Sequence, residues 1–502
     1  MMKLIVIVLA SILLLFRHSF CQELYPKREF RGAWVATVGN IDWPSDRNAT
    51  PGKQISELVT IFDKLKDAGI NAVLFQIRTE CDALYESELE PWSFWLTAEQ
   101  GKKPKPFFDP LEFAISEAHA RGMELHAWFN PYRSVKTDGE YKNAFNHISV
   151  TNPDWILSFG NYKMLDPGHP EVQEFVLKIM TDVLTRYDVD GIHFDDYFYP
   201  YVPKVSNEDS LTFAKYNRGI TDLDDWRRDN INSLMAKIYE VIKAVKPHVK
   251  FGISPFGIVE NKYTGTDGFN SYSMIYCDPL NWIKNKIVDY INPQLYWAMD
   301  HEKAPYAKLL PWWDSVVGDV HLYIGLFSSR FLARNYTGRS SELADQIRMN
   351  RNHSHVNGSV FFSAKSIYNN WNGFADSLKN NFYKYPALPP TMSWKDSVPP
   401  LTPKNLILRL DSNGVLLTWD KPEIATDGDG ARGFVIYSFD SPDKINLNDP
   451  SKIIHITPQV TTKFKHFISL KDKKEFVYVV TSLDKHFNES KDYAVVSMEI
   501  NE

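Results

Sequence analysis

Eight apolar runs with the length and composition of buried strands alternate with eight amphipathic stretches between Phe30 and Phe382. The runs are Phe30–Val38, Asn71–Arg78, Glu124–Pro131, Asp190–Tyr197, Lys250–Phe256, Tyr290–Trp297, His321–Phe327 and Ser359–Ala364. Between and after them, Gln54–Ala68, Pro110–Arg121, Pro170–Tyr187, Asp224–Val245, Pro279–Lys286, Ala304–Val317, Ser340–Asn350 and Gly373–Phe382 carry apolar residues at helical spacing. The clearest places Val172, Phe175, Val176, Ile179, Met180, Val183 and Leu184 on one face behind Pro170, which suits a first helical turn. Strand and helix alternating eight times predict an α/β fold, a (β/α)8 TIM barrel over residues 27–382. An open doubly wound sheet is the alternative. It is disfavoured because Gly39-Asn40-Ile41-Asp42-Trp43-Pro44, after the first strand, lacks the glycines of a nucleotide loop.

The pattern changes at a proline-rich connector, 383–402. Beyond it, Lys404–Leu410, Gly414–Trp419, Gly433–Ser438, Lys452–Thr457, Lys463–Ser469, Phe476–Ser482 and Tyr493–Ile500 read as short strands between turns. They predict an all-β, fibronectin type III-like sandwich over 403–502 with Trp419 and Tyr478 in its core. At the other end, Lys3, apolar Leu4–Phe16 and the small residues Ser19 and Cys21 predict a signal peptide over 1–21, cleaved after Cys21. Export to the periplasm or cell surface follows. A lipoprotein anchored through Cys21 is the lesser alternative, since Phe20 suits that processing poorly. Only Cys81 and Cys277 then remain, too few for a disulfide framework or a metal-binding spacing. Unpaired buried thiols are expected, with a single bridge left open.

Composition narrows the partners. A formal charge of −6 with no dense Lys/Arg run argues against nucleic acid and anionic lipid. The 14 Trp, 25 Tyr and 31 Phe supply both a large core and aromatic faces for a ligand. No cofactor and no metal are expected, Asp427-Gly428-Asp429-Gly430 reading as a turn. The chain is expected to act as a monomer.

The chemistry centres on Gly191-Ile192-His193-Phe194-Asp195-Asp196-Tyr197. Alternation along a strand puts His193 and Asp195 toward the barrel axis and Ile192, Phe194 and Asp196 toward the helices. Asp195 thus falls at the carboxyl end of the fourth strand, where barrel enzymes keep catalytic groups. The same reasoning brings Gln76, Arg78 and Glu80 from the second strand, and His126, Trp128, Asn130, Tyr132 and Arg133 from the third. Asn292, Gln294, Tyr296 and Trp297 come from the sixth, with Asp42, Trp43 and Tyr197 in adjoining loops. Any one of these has a structural explanation; buried together, they would need many partners if they had no ligand. Acids, amides and aromatic faces in one mouth suit a sugar, whose C–H faces stack on rings while hydroxyls take polar partners. Asp195, Asp196 and Glu80 are the catalytic candidates for glycoside hydrolysis, with Glu260 and Asp300 in reserve.

Phe30-Arg31-Gly32-Ala33-Trp34-Val35-Ala36-Thr37, Asp42-Trp43-Pro44, Phe75-Gln76-Ile77-Arg78, Ala127-Trp128-Phe129-Asn130-Pro131-Tyr132-Arg133, Leu165-Asp166-Pro167-Gly168, Asp190 to Pro200 and Asp225-Trp226-Arg227-Arg228-Asp229-Asn230 resemble, in this order, the bacterial glycosyl hydrolase-like 10 family. The resemblance implies an exported or lipoprotein barrel, often with a trailing fibronectin type III module. It also implies hydrolysis of an amino-sugar polysaccharide such as peptidoglycan glycan strands stripped of stem peptides, and association with the cell envelope. It further implies that an acetamido sugar can supply its own nucleophile, with Asp195 or Asp196 as acid and orienting base. Tyr296 and Gln294 would then hold the acetamido group. The competing readings are a non-catalytic cell-wall glycan-binding protein and an α-glucan hydrolase, the latter weakened by His193 where that family keeps arginine.

Overall fold

A computed structural model describes residues 25–411, 413–468 and 475–499. The expected signal segment and the ends of two expected strands, Ser469 and Ile500, lie outside the described residues. Eight parallel strands close a barrel: β1 (Phe30–Val35), β2 (Ala72–Arg78), β3 (Glu124–Phe129), β7 (Gly191–Phe194), β8 (Lys250–Ile253), β9 (Tyr290–Ile291), β10 (His321–Leu326) and β11 (Val356–Phe361). They are the eight runs of the sequence, most of them shorter. β9 is the most reduced, because Pro293 has no N–H for the ladder and leaves only two isolated bridges at Gln294, to Phe256 and Gly325.

Helices wrap the outside. Pro170–Arg186 buries Val172, Val176, Ile179, Met180, Val183 and Leu184 against the strands, while Phe175 stays half-buried. The last expected helix is a single α turn, Phe374–Ser377, running into a π turn over Leu378–Phe382. One element is not announced by the pattern: β4 (Arg133–Val135), β5 (Ile156–Phe159) and β6 (Tyr162–Leu165) form a small antiparallel sheet beyond β3.

The barrel interior is aromatic and polar. Phe30 stacks on Tyr323 with centroids 4.0 Å apart, and Trp34, Ala72, Leu74, Trp128, Tyr290 and Val360 fill the same space. Gly191 and Gly252 make this possible, since a Cβ would stand 2.5 Å from the His126 ring and 2.0 Å from the Tyr290 ring. A hydrogen-bonded chain runs down the axis. Trp34 Nε1 donates to His193 Nε2 at 3.1 Å. The His193 proton therefore sits on Nδ1 and is given to the Tyr290 hydroxyl at 3.0 Å; that hydroxyl donates to His126 Nδ1 at 2.8 Å. His126 Nε2 faces Glu124, which pairs with Lys250.

The C-terminal region forms two antiparallel sheets, a sandwich with a three-stranded and a four-stranded layer. The three-stranded sheet holds β12 (Lys404–Asp411), β13 (Gly414–Asp420) and β16 (Lys463–Phe467). The four-stranded sheet runs β15 (Ile453–Ile456), β14 (Gly433–Phe439), β17 (Glu475–Leu483) and β18 (Ala494–Glu499). Trp419 and Tyr478 lie in the core between the sheets. The connector is not a free spacer. Met392 is buried within the amino-terminal end of the barrel interior, Trp394 Nε1 donates to Asp289 Oδ1 at 3.0 Å, and Lys395 pairs with Asp289 at 2.9 Å. Leu388 packs with Val435, Tyr437, Phe439, Val477 and Val479 on the outer face of the four-stranded sheet, and Arg432 pairs with Asp190 at 3.0 Å. Cys81 and Cys277 are both free and buried. Among the described residues no helix is long and apolar enough to cross a membrane.

Candidate active site

β7 ends at Phe194, one residue before the acid pair. The break in regular backbone lets both carboxylates serve one site, although alternation assigns Asp196 to the helix side. Asp195 turns toward β3: Oδ2 accepts from Trp128 Nε1 at 3.0 Å and Oδ1 from the Tyr197 backbone N–H at 3.3 Å. Asp196 turns toward β9, where it accepts from the Tyr201 hydroxyl and interacts with the Gln294 amide. Asp195 is 5% exposed and Asp196 1%.

Burial dominates their acidity. It pushes Asp195 up to about 6, against the lowering field of Arg133 and the Trp128 hydrogen bond. Asp196 is pushed up to about 7, by burial first and then by the neighbouring Asp195 charge. The two carboxyls thus differ in environment. One sits among donors and a cation, the other beside a like charge.

Around them stand groups with polar capacity left over. Asn130 accepts the Arg133 backbone N–H at 2.9 Å through Oδ1 as the chain turns into β4, while its buried Nδ2 makes no close hydrogen bond and interacts with Asp195. Ser254 Oγ, Gln76 Nε2 and both side-chain polar atoms of Asn292 are buried at strand carboxyl ends and unpartnered. Tyr296 packs on Phe327 at 4.7 Å, and its phenol lies in the field of Asp196 and Asp195. Trp297 is half-buried at the rim, edge-on to Phe256. Tyr197 lies beneath the Arg133 guanidinium at 5.1 Å. The mouth therefore offers acids, amide and hydroxyl donors, one cation and several rings.

Other expected site residues stand elsewhere. Asp42 is a clasp between loops: Oδ2 accepts from Ala36 N, Oδ1 from Ser363 Oγ and Lys365 N. Trp43 is fully buried, donates to Gln54 O and packs on Phe75. Arg78 is corrected from ligand contact to scaffold. All five of its N–H donors are engaged, by Glu90, the carbonyls of Asn130 and Pro131, and Cys81 Sγ. His126 and His193 belong to the axial chain below the mouth, both ring nitrogens of each engaged, and burial holds His193 neutral. Tyr132 is buried in the helix-side core. Gln76 gives Oε1 to the Thr37 and Val38 N–H groups and keeps only its amide nitrogen free.

Glu80 is fully buried and held by Trp95 Nε1 at 2.7 Å, Tyr141 hydroxyl at 3.1 Å and Lys136 N, so its carboxylate fastens the loops after β2 and β3. Glu260 pairs with Lys262 at 2.8 Å, and the Asp300 side chain is 77% exposed beside Arg339. Reasoning from alternation did not single out Trp34 and Ser254, although both sit on inward positions of their strands. Among the described residues, the acidic group close enough to share an ion is Asp396, Asp427 and Asp429, at the connector and sandwich.

A family model described as Glycosyl hydrolase-like 10 matches residues 29–335. The chain is 38% identical over 491 residues to Glycosyl hydrolase YngK of Bacillus subtilis (strain 168), covering 94% of each. It is 39% identical over 319 residues to Glycosyl hydrolase DigH of Escherichia coli (strain K12), covering 59% of this chain and 72% of that protein. Among solved structures, the glycoside hydrolase domain of PgaB (BpsB) from Bordetella bronchiseptica aligns with a TM-score of 0.46 at 13% identity, covering 70% of this chain and 98% of that one. The barrel with its buried acid pair is that of a glycoside hydrolase. The chain belongs to the Glycosyl hydrolase-like 10 family.

Proposed function

We propose that the protein hydrolyses an N-acetylhexosamine-containing bacterial polysaccharide, namely peptidoglycan glycan strands lacking stem peptides. The observation that carries this reading is the buried acid pair and its unlike surroundings: burial raises both carboxyls, Asp195 against the Arg133 field and the Trp128 hydrogen bond, Asp196 with the added repulsion of Asp195. Environments that separate two carboxyls in this way assign the roles. Asp196, with the greater proton affinity, is the general acid that protonates the leaving glycosidic oxygen. Asp195, hydrogen-bonded by Trp128 and in the field of Arg133, carries the negative charge that faces the developing oxocarbenium centre. The free Ser254 and Asn292 groups take sugar hydroxyls or the acetamido function, and Tyr296, Trp297 and Tyr197 supply stacking faces.

The amino-sugar class rests on the family resemblance and on amide donors beside the acids, since an acetamido group needs both a donor and an acceptor. The N-terminal pattern over 1–21 supports export, which brings the enzyme to the envelope where such strands lie. The strand order of the sandwich, three strands against four, supports a fibronectin type III-like module. The test is product analysis after incubation with peptide-free glycan strands, beside chitin oligomers and starch. Release of short amino-sugar oligosaccharides from the first substrate, lost in Asp195→Asn and Asp196→Asn, is the expected result. Turnover of starch alone, or undiminished turnover in both variants, would sink the assignment.

A further inference from the structure

Four arginines are buried among the described residues, and three are matched by a carboxylate. Arg31 pairs with Glu29 at 2.7 Å, Arg78 with Glu90 at 2.6 Å and Arg227 with Asp209 at 2.6 Å. Arg133 is the fourth. It is 5% exposed, yet no described carboxylate lies within 4.0 Å of its guanidinium. Its one side-chain hydrogen bond runs from Nε to Thr79 O at 3.0 Å, and its plane lies over the Tyr197 ring. Glu80, the other acid in its field, is committed to Trp95, Tyr141 and Lys136. The two terminal nitrogens make no hydrogen bond to the protein and keep the little solvent contact this side chain has, so a largely buried cation is left with its donors open to an incoming anion. The free pair of nitrogens has the fork geometry that takes both oxygens of a carboxylate.

We propose that Arg133 is a specificity-determining residue that binds the lactyl carboxylate of an N-acetylmuramic-type sugar in the glycan. The inference rests on the proposed activity and explains its substrate preference. In a strand carrying stem peptides that carboxyl is an amide, neutral and bulky. In a stripped strand it is a free anion on alternate sugars. The charge of Arg133 reaches Asp195, so a sugar whose carboxylate meets the guanidinium is brought to the acids. The same contact sets its register.

The test combines a change in the substrate with a change in the protein. Peptide-free strands are compared with the same strands after their lactyl carboxyls have been converted to uncharged methylamides. Wild-type protein is expected to lose roughly tenfold to hundredfold in kcat/KM on the amidated strands, the scale of one charged hydrogen-bonded contact. Arg133→Gln is expected to fall to that lower level on free strands and to be indifferent to amidation; Arg133→Lys, which keeps the charge without the fork, should lie between. Wild-type protein cutting both strands equally well overturns this inference and leaves the proposed activity standing. Full discrimination retained in Arg133→Gln overturns it as well. Wild-type protein cutting neither strand overturns both. The comparison on wild-type protein alone decides the matter if Arg133→Gln does not fold.

Discussion

Trp128 donates its indole N–H to Asp195 Oδ2 at 3.0 Å, so a residue with the shape of a stacking platform also fixes a carboxylate. Removing the donor while keeping an aromatic ring separates the two roles. Trp128→Phe is expected to raise the pKa of Asp195, moving the acidic limb of the kcat/KM profile to higher pH, and to lower activity by roughly tenfold. A pH–rate profile measures both.

The acid pair predicts the shape of that profile. Asp195 must be ionised and Asp196 protonated, so activity should rise through about pH 6 and fall through about pH 7, a narrow bell. The descending limb belongs to Asp196. It should vanish together with most turnover in Asp196→Asn, with a loss of about a thousandfold or more.

The same groups lower stability at neutral pH. A carboxyl whose pKa rises on folding contributes fully below its unfolded value, near 3.8 to 4, and loses that contribution as pH climbs through the folded value. Asp196→Asn removes the ionisation. The variant is expected to melt several degrees above wild type at pH 8, the gap closing by about pH 4, as read by calorimetry across pH.

Arg78 is a scaffold residue, which separates it from Arg133. The Arg78–Glu90 pair is about 1% exposed on both sides, and breaking it leaves a buried charge alone. Glu90→Gln is expected to cost about 3 kcal/mol in denaturant unfolding, with kcat of the folded fraction little changed.

The barrel was readable because its strands turn an apolar face to the helices and its helices keep a clean period, as Val172 to Leu184 show. Alternation placed Asp195 correctly relative to Trp128 and Asn130. It turned Asp196, a catalytic candidate, toward the helices, because alternation ends where the ladder ends, at Phe194. It could not separate His193 from Asp195, two residues apart on one face, although one lies in the packed interior and the other at the mouth. Depth along a strand depends on barrel tilt and on neighbours such as Tyr290, and a single chain does not carry that information locally. Arg78 and Arg133 look equally promising as text; only the position of Glu90, brought close by a loop, distinguishes them.

Asp190, which opens the stretch leading to the acids, is tied to Arg432 of the sandwich, and Met392 of the connector seals the barrel below. The C-terminal module is accordingly part of the foundation on which the catalytic strand rests. Proteins assembled in this way resist domain shuffling: a barrel excised at residue 382 would expose an unlined underside, and a foreign module joined there would lack the stopper and the arginine.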